Sequence, residues 1–198
     1  MSESVITLQP PPEPWILPSR GVVGMACLIL AESAIFIIFV VAYIFYIGRS
    51  LNGPTPSQVL DLPIFSTICL LSSSFTVHFA VDTLRHNKLR SCGIWLSATV
   101  LLGGAFLALT AREWYVLIYH YGLTLQTNLF GTTFYSLVGL HATHVVVGLL
   151  MLSLALIFSF TGALTSRHAY RLNVVSLYWH FVDAVWVVVF TVVYVLGR

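Results

Sequence analysis

The chain has 198 residues, 58% of them hydrophobic and 8% charged, with a formal net charge of +2. Soluble domains carry about 25% charged residues, so this composition excludes an ordinary soluble domain and points to a polytopic membrane protein. The small net charge gives no reason to expect a nucleic-acid partner, and the few Lys and Arg residues fall in short connections, as in loops between membrane spans.

The first stretch, "MSESVITLQPPPEPW", lacks the basic region and short apolar core of a cleavable signal. Pro10, Pro11, Pro12 and Pro14 predict a short extended arm, and Trp15 stands where an interfacial aromatic belongs. The arm is assigned to residues 1–20, and a single transmembrane domain to 21–198. Five apolar spans follow, over about 22–48, 62–84, 93–111, 128–160 and 172–197. A bilayer demands roughly 20 apolar residues of a helix, so the expected fold is an all-α integral membrane protein with five transmembrane helices. The second span is entered through Pro63. No proline follows it, so the last three spans need no kink. The fourth exceeds the required length and should tilt or project.

Five spans put the chain ends on opposite sides. Arg20, Arg85, Lys88, Arg90, Arg167 and Arg171 then share one side, and Arg49, Arg112 and Arg198 the other. Six against three predicts a cytoplasmic N-terminus and an external, periplasmic C-terminus. The external connections, "RSLNGPTPSQVLD" and "AREWYVLIYHYGLTLQT", are too short to form a domain. Trp114, Tyr115, Tyr119 and Tyr121 in the second resemble an aromatic belt. Cys27, Cys69 and Cys92 form no C-x-x-C pair or metal spacing and read as small apolar filler.

Polar side chains inside spans are informative, because each must face protein, a cavity or a partner. Glu32 lies about ten residues into the first span. An ionised carboxylate there is unfavourable, so the acid is expected to stay protonated. It is either a proton-relay or regulatory group, or a neutral acid hydrogen-bonded between helices. His78 and Asp82, four apart, precede Arg85, His86, Lys88 and Arg90 at the membrane edge. Asp82, Arg85, Lys88 and Arg90 make a charge cluster that could bind a lipid head group or simply mark topology. Ser72, Ser73 and Ser74 read as helix-packing residues, with no base evident beside them. Arg112 and Glu113 read as an interfacial pair or partner contact.

His141 and His144, three apart in "GLHATHVVVG", lie on neighbouring faces of one helix. Gly139 and Gly148 would let another helix approach. Interhelical hydrogen bonding is expected of both histidines. A haem site using His141, His144, His78 or His180 is the rival reading. In the last span Trp179, Asp183 and Trp186 form one stripe. His180 is three residues before Asp183, so it could contact that carboxylate, and the tryptophan N–H groups could also donate to it. This stripe is either a proton site or a satisfied polar joint. No P-loop, G-x-G-x-x-G, G-x-S-x-G or H-E-x-x-H motif occurs.

Three stretches carry a resemblance. "FYSLVGLHATHVVVGLL" (134–150) is similar to a G-x-H-x-x-H-V-x-x-G segment, through Gly139, His141, His144, Val145 and Gly148. "LYWHFVDAVWVVVFTVVY" (177–194) is similar to a Y-W-H-F-V-D-x-V-W signature, through Tyr178, Trp179, His180, Phe181, Val182, Asp183, Val185 and Trp186. "ESAIFIIFVVAY" (32–43) is similar to a segment bearing a buried membrane acid, here Glu32. Over roughly residues 20–197 the chain resembles subunit III of the haem-copper terminal oxidases, of cytochrome c or quinol type.

The resemblance implies an accessory subunit of a complex that reduces oxygen to water and moves protons, in aerobic respiration. It implies no metal or redox cofactor on this chain, with haems and copper in partner subunits. Subunit I would be the main interface, beside subunit II and a small fourth subunit, with phospholipid bound. It places Glu32 near the catalytic-subunit face and makes His141, His144, Trp179, His180, Asp183 and Trp186 structural. The mitochondrial-type form has seven helices, the first two building a lipid-holding cleft. Five helices point to the inner membrane of a bacterium. That form also has an acid seven residues before the signature histidine, where this chain has Asn173.

Overall fold

A computed structural model describes residues 19–49 and 54–197. The proline arm, Trp15 and Arg198 lie outside the described residues. The regular elements of the described residues are all helical: α1 Arg20–Tyr46, the single turn α2 Pro56–Val59, α3 Ile64–Arg85, α4 Leu89–Tyr119, α5 Leu129–Phe160, a 3-10 turn at Ser166–His168, α6 Ala169–Phe190 and a π-helical turn Thr191–Leu196. Five segments are long and apolar enough to cross a membrane: α1, α3, α4, α5 and Ser166–Leu196. In hydrocarbon every backbone polar group needs an internal partner, which an apolar helix provides along its length.

Two spans differ from the expected ones. The third, expected over 93–111, is the 31-residue α4. Arg112–Tyr119 is thus helix and not loop. Its end is fixed at Gly122, where φ is +64°, and the Leu123 amide turns back to the Leu117 carbonyl at 2.9 Å while the Leu123 side chain is fully buried. The fifth helix lacks proline yet widens into the π-turn at Thr191–Leu196. Thr191 Oγ1 bonds the Val187 carbonyl there, at 2.8 Å. A tight approach also occurs at this end, since a Cβ on Gly197 would lie 2.7 Å from the Tyr43 hydroxyl. The long α5 follows the expected 128–160 closely and, at about 1.5 Å per residue, exceeds a ~30 Å hydrocarbon layer. Asn128 caps it, accepting from the Gly131 amide at 2.8 Å.

The α3–α4 connection is a Schellman turn. The Lys88 amide bonds the Thr83 carbonyl at 2.9 Å and the Asn87 amide bonds the Leu84 carbonyl at 3.0 Å. Asn87 takes the left-handed conformation this motif needs, with φ of +59°. The hairpin packs antiparallel, and Thr76 Oγ1 meets Thr99 Oγ1 at 2.8 Å across it.

The core runs between α3, α4, α5 and α6. Its centre is Trp179, fully buried between two helices that offer glycine to its ring. A Cβ on Gly103 of α4 would lie 2.9 Å from the indole, and one on Gly148 of α5 only 2.7 Å. Gly148 therefore admits the close approach expected of it. Gly139 does not, because a Cβ there would meet only the Trp114 ring at 3.4 Å. Helix α1 is the outlier, burying only Phe36 and Tyr43.

Candidate functional site

The polar groups of the spans gather along two helix seams. The first lies between the antiparallel α3 and α6. Trp186 Nε1 donates to Thr67 Oγ1 at 3.1 Å, and Trp179 Nε1 donates to Ser73 Oγ at 2.8 Å. Ser74 Oγ is hydrogen-bonded to Asp183 Oδ2 and lies 3.0 Å from His180 Nδ1. Near the basic end, Arg85 donates to Asn173 Oδ1 at 2.8 Å.

These contacts correct the sequence reading. Asp183 does not receive the tryptophan N–H groups, and His180 does not bond Asp183 directly. Both tryptophans reach across to hydroxyls on α3, and Ser74 bridges the imidazole and the carboxylate. Ser74 thus does have a base beside it. Intrahelical spacing put His180 within reach of Asp183, but the neighbouring helix supplied the better-placed partner. Thr67 is the missed member, while Ser73 and Ser74, read as helix-packing residues, do bond across to α6. The signal available was that Thr67 and Ser74, seven apart, lie on one face of α3.

The second seam joins α1 to α5. Glu32 Oε2 lies 3.1 Å from His144 Nε2, and both side chains are largely covered. His144 Nδ1 lies 2.8 Å from the Leu140 carbonyl. A carbonyl only accepts, so Nδ1 carries hydrogen. Nε2 and Glu32 then share one proton: either protonated Glu32 donates to bare Nε2, or the imidazolium donates to the carboxylate. The Phe36 ring packs on His144 with centroids 4.9 Å apart.

His141 departs from expectation. It is fully buried, and neither ring nitrogen has a hydrogen-bond partner. Aromatic rings surround it instead: Trp186 at 5.0 Å, Phe106 at 5.9 Å and Phe36 at 6.4 Å between centroids. Three residues separate it from His144, about 300° of helix, enough to turn it from the α1 seam into the bundle.

The membrane-edge residues do not converge. Arg85 is engaged by Asn173, while Asp82 faces His86, with 3.6 Å between Oδ1 and Nδ1. Lys88 and Arg90 are exposed. At the opposite end, Glu113 is not paired with Arg112. Tyr194 donates to it at 3.0 Å. Glu113 and Arg112 line a cleft of about 420 Å³ with Asp61, Ser66 and Tyr121. Trp114 leaves the expected belt and packs edge-on against Tyr135 at 5.3 Å, while Tyr115, Tyr119 and Tyr121 stay exposed. All three cysteines are free, with Cys69 and Cys92 buried and Cys27 exposed. Among the described residues no three His, Cys, Asp or Glu side chains come together to hold a metal.

Residues 19–198, which include both seams, match the family described as cytochrome c oxidase subunit III. The chain belongs to the cytochrome c oxidase subunit III family. It is similar to cytochrome c oxidase subunit 3 of Alkalihalophilus pseudofirmus, with 38% identity over 84% of this chain and 82% of the relative. It is similar to quinol oxidase subunit 3 of Bacillus subtilis, with 33% identity over 89% of this chain and 87% of the relative. A third relative, cytochrome c oxidase subunit 3 of Synechocystis, is 37% identical over 90% of this chain and 77% of its own length. The chain is therefore an accessory subunit III of a haem-copper oxidase.

Proposed function

We propose that this subunit III carries no redox centre and no catalytic activity of its own. It packs beside subunit I of a bacterial oxidase that reduces oxygen to water with proton pumping, together with subunit II and a small fourth subunit. The complex lies in the inner membrane, with the N-terminus of this chain cytoplasmic by the positive-inside bias.

The observation that carries this reading is what the intramembrane polar groups bond to. Trp179, Trp186, Asp183, His180 and Glu32 all bond to side chains of neighbouring helices within the chain. Such bonds hold a bundle together. Glu32 sits on the thinly packed α1 and is turned toward α5, while the far face of α1 exposes Leu30, Ile37 and Ile38, which suits a subunit I contact. An apolar groove of about 350 Å³ between α5 and α6, rimmed by His168 and Arg171, suits a phospholipid.

Cytochrome c is the proposed electron donor. Quinol is the alternative, favoured by the B. subtilis quinol oxidase relative. Purifying the tagged chain from its own membrane tests the whole reading. Co-purification of subunit I and of a copper-binding, cytochrome-c-docking subunit II is expected. A haem absorption band retained by the isolated chain would overturn the redox-free assignment.

A further inference from the structure

Ser74 has one hydroxyl hydrogen and two partners. Its Oγ bonds Asp183 Oδ2 on one side and lies 3.0 Å from His180 Nδ1 on the other. A hydroxyl placed this way accepts from one neighbour while donating to the other. With Asp183 as a carboxylate, Ser74 donates to Oδ2 and the Nδ1–H of His180 donates to Ser74. With Asp183 protonated, its O–H donates to Ser74, and Ser74 donates to bare Nδ1. The His180 hydrogen then sits on Nε2. Both arrangements fit the same heavy-atom positions. They differ by one proton and by the direction of both hydrogen bonds.

The two ends of this chain of bonds differ in access. Asp183 is 3% exposed, and its Oδ1 has no hydrogen-bond partner. His180 is half-buried, and His78, one helical turn beyond Ser74 on α3, is exposed. Ser74, His78 and Asp82 are spaced by four residues, so they line one face of α3 toward the membrane edge, where Asp82 faces His86. The neighbouring donors are already engaged: Trp179 with Ser73, Trp186 with Thr67 and Arg85 with Asn173.

We propose that His180, Ser74 and Asp183 form a proton relay that loads Asp183 from the His78–Asp82 face of α3. A proton from water at the membrane edge binds Nε2 of neutral His180. The Nδ1–H proton passes to Ser74 Oγ as the Ser74 hydroxyl proton passes to Asp183 Oδ2. The products are neutral His180, now protonated on Nε2, and neutral Asp183. Loading breaks one O–H bond of hydronium at the membrane edge, which leaves as water, and forms the N–H bond at Nε2; the transfer breaks the Nδ1–H and Ser74 O–H bonds and forms one O–H bond at Ser74 and one at Asp183. The step needs no oxidant or reductant and is reversible.

Time-resolved infrared spectroscopy of the purified oxidase complex, after a light-triggered release of caged protons, tests this. The probe is the carbonyl stretch of a protonated carboxyl, assigned to residue 183 by its loss in Asp183→Asn. Ser74→Ala removes the bridge. His180→Gln keeps an amide to bond Ser74 but cannot pass a proton through. Both should slow protonation of Asp183 by roughly 100-fold, the scale of a lost proton-transfer group, and Ser74→Thr should restore it. If Ser74→Ala fails to assemble, His180→Gln carries the test. An unchanged rate in either variant overturns the relay, as does a wild-type spectrum with no pH-dependent carboxyl band that Asp183→Asn removes.

Discussion

Trp179 shows how one side chain ties four helices. It starts on α6, inserts its ring between Gly103 of α4 and Gly148 of α5, and places its N–H on Ser73 of α3. Gly148→Ala pushes a methyl to 2.7 Å from that ring, and overpacking of this kind costs about 1–3 kcal/mol. A clear drop in the thermal midpoint of the detergent-solubilised complex is the expected result. Glu32→Gln should leave assembly intact, because an amide still bonds His144 Nε2. Glu32→Leu orphans that nitrogen at about 1–3 kcal/mol, and comparing subunit yield in membranes separates the two. Asp183→Leu and Ser74→Ala should be non-additive. Coupling of about 0.6–1.7 kcal/mol is the range for interhelical polar pairs in membranes, and a double-mutant cycle showing none would remove the bridge from the packing account. At this scale the sequence made the stripe of Trp179, Asp183 and Trp186 legible through its four–three spacing. The partners were not legible, because Ser72, Ser73 and Ser74 are adjacent on α3 and only the rotational setting of that helix selects among them.

The helices themselves were read well where hydropathy is sharp and poorly where a helix outruns the bilayer. Helix α4 continues through Arg112 and Glu113 because Leu117 and Leu123 still bury fully beyond them, and the charged pair is what made the span seem to end at 111. The helix stop at Asn87 is local chemistry. Asn87→Val forces a β-branched residue into the left-handed region, costing about 1–2 kcal/mol, and the α3–α4 hairpin should lose protection in hydrogen exchange. Asn87→Gly should be neutral or slightly stabilising. The start of α1 depends on a distant residue: the Tyr170 hydroxyl accepts from the Val22 amide at 2.9 Å and also bonds Ser19. No capping motif near Ser19 announces this, since the partner is 148 residues away from Val22.

Taken whole, the molecule is a tight four-helix core with α1 attached along one side. The attachment includes Phe36 against His141, His144 and Phe181, the Glu32–His144 bond, the Tyr170 hydroxyl on Val22 and Tyr43 at Gly197. Local stability follows buried contacts, so amides of α1 should exchange sooner than those of α3–α6 in the isolated subunit. Assembly into the oxidase complex should slow α1 selectively. Equal exchange across all five spans would contradict this weak attachment.

The sequence by itself determined that the chain has five stretches long and apolar enough to cross a membrane, where most of them begin, and which family it resembles. Those properties follow from composition, from run length and from motifs written in consecutive residues. Only the tertiary structure decided that Glu32 meets His144, that His141 sits unbonded within a ring of aromatics, and that Ser74 stands between His180 and Asp183. Each of these depends on how two helices are rotated and shifted against one another. Nearly uniform apolar faces carry little record of that choice, and it is fixed by the glycine seats and interhelical hydrogen bonds that form when the bundle closes.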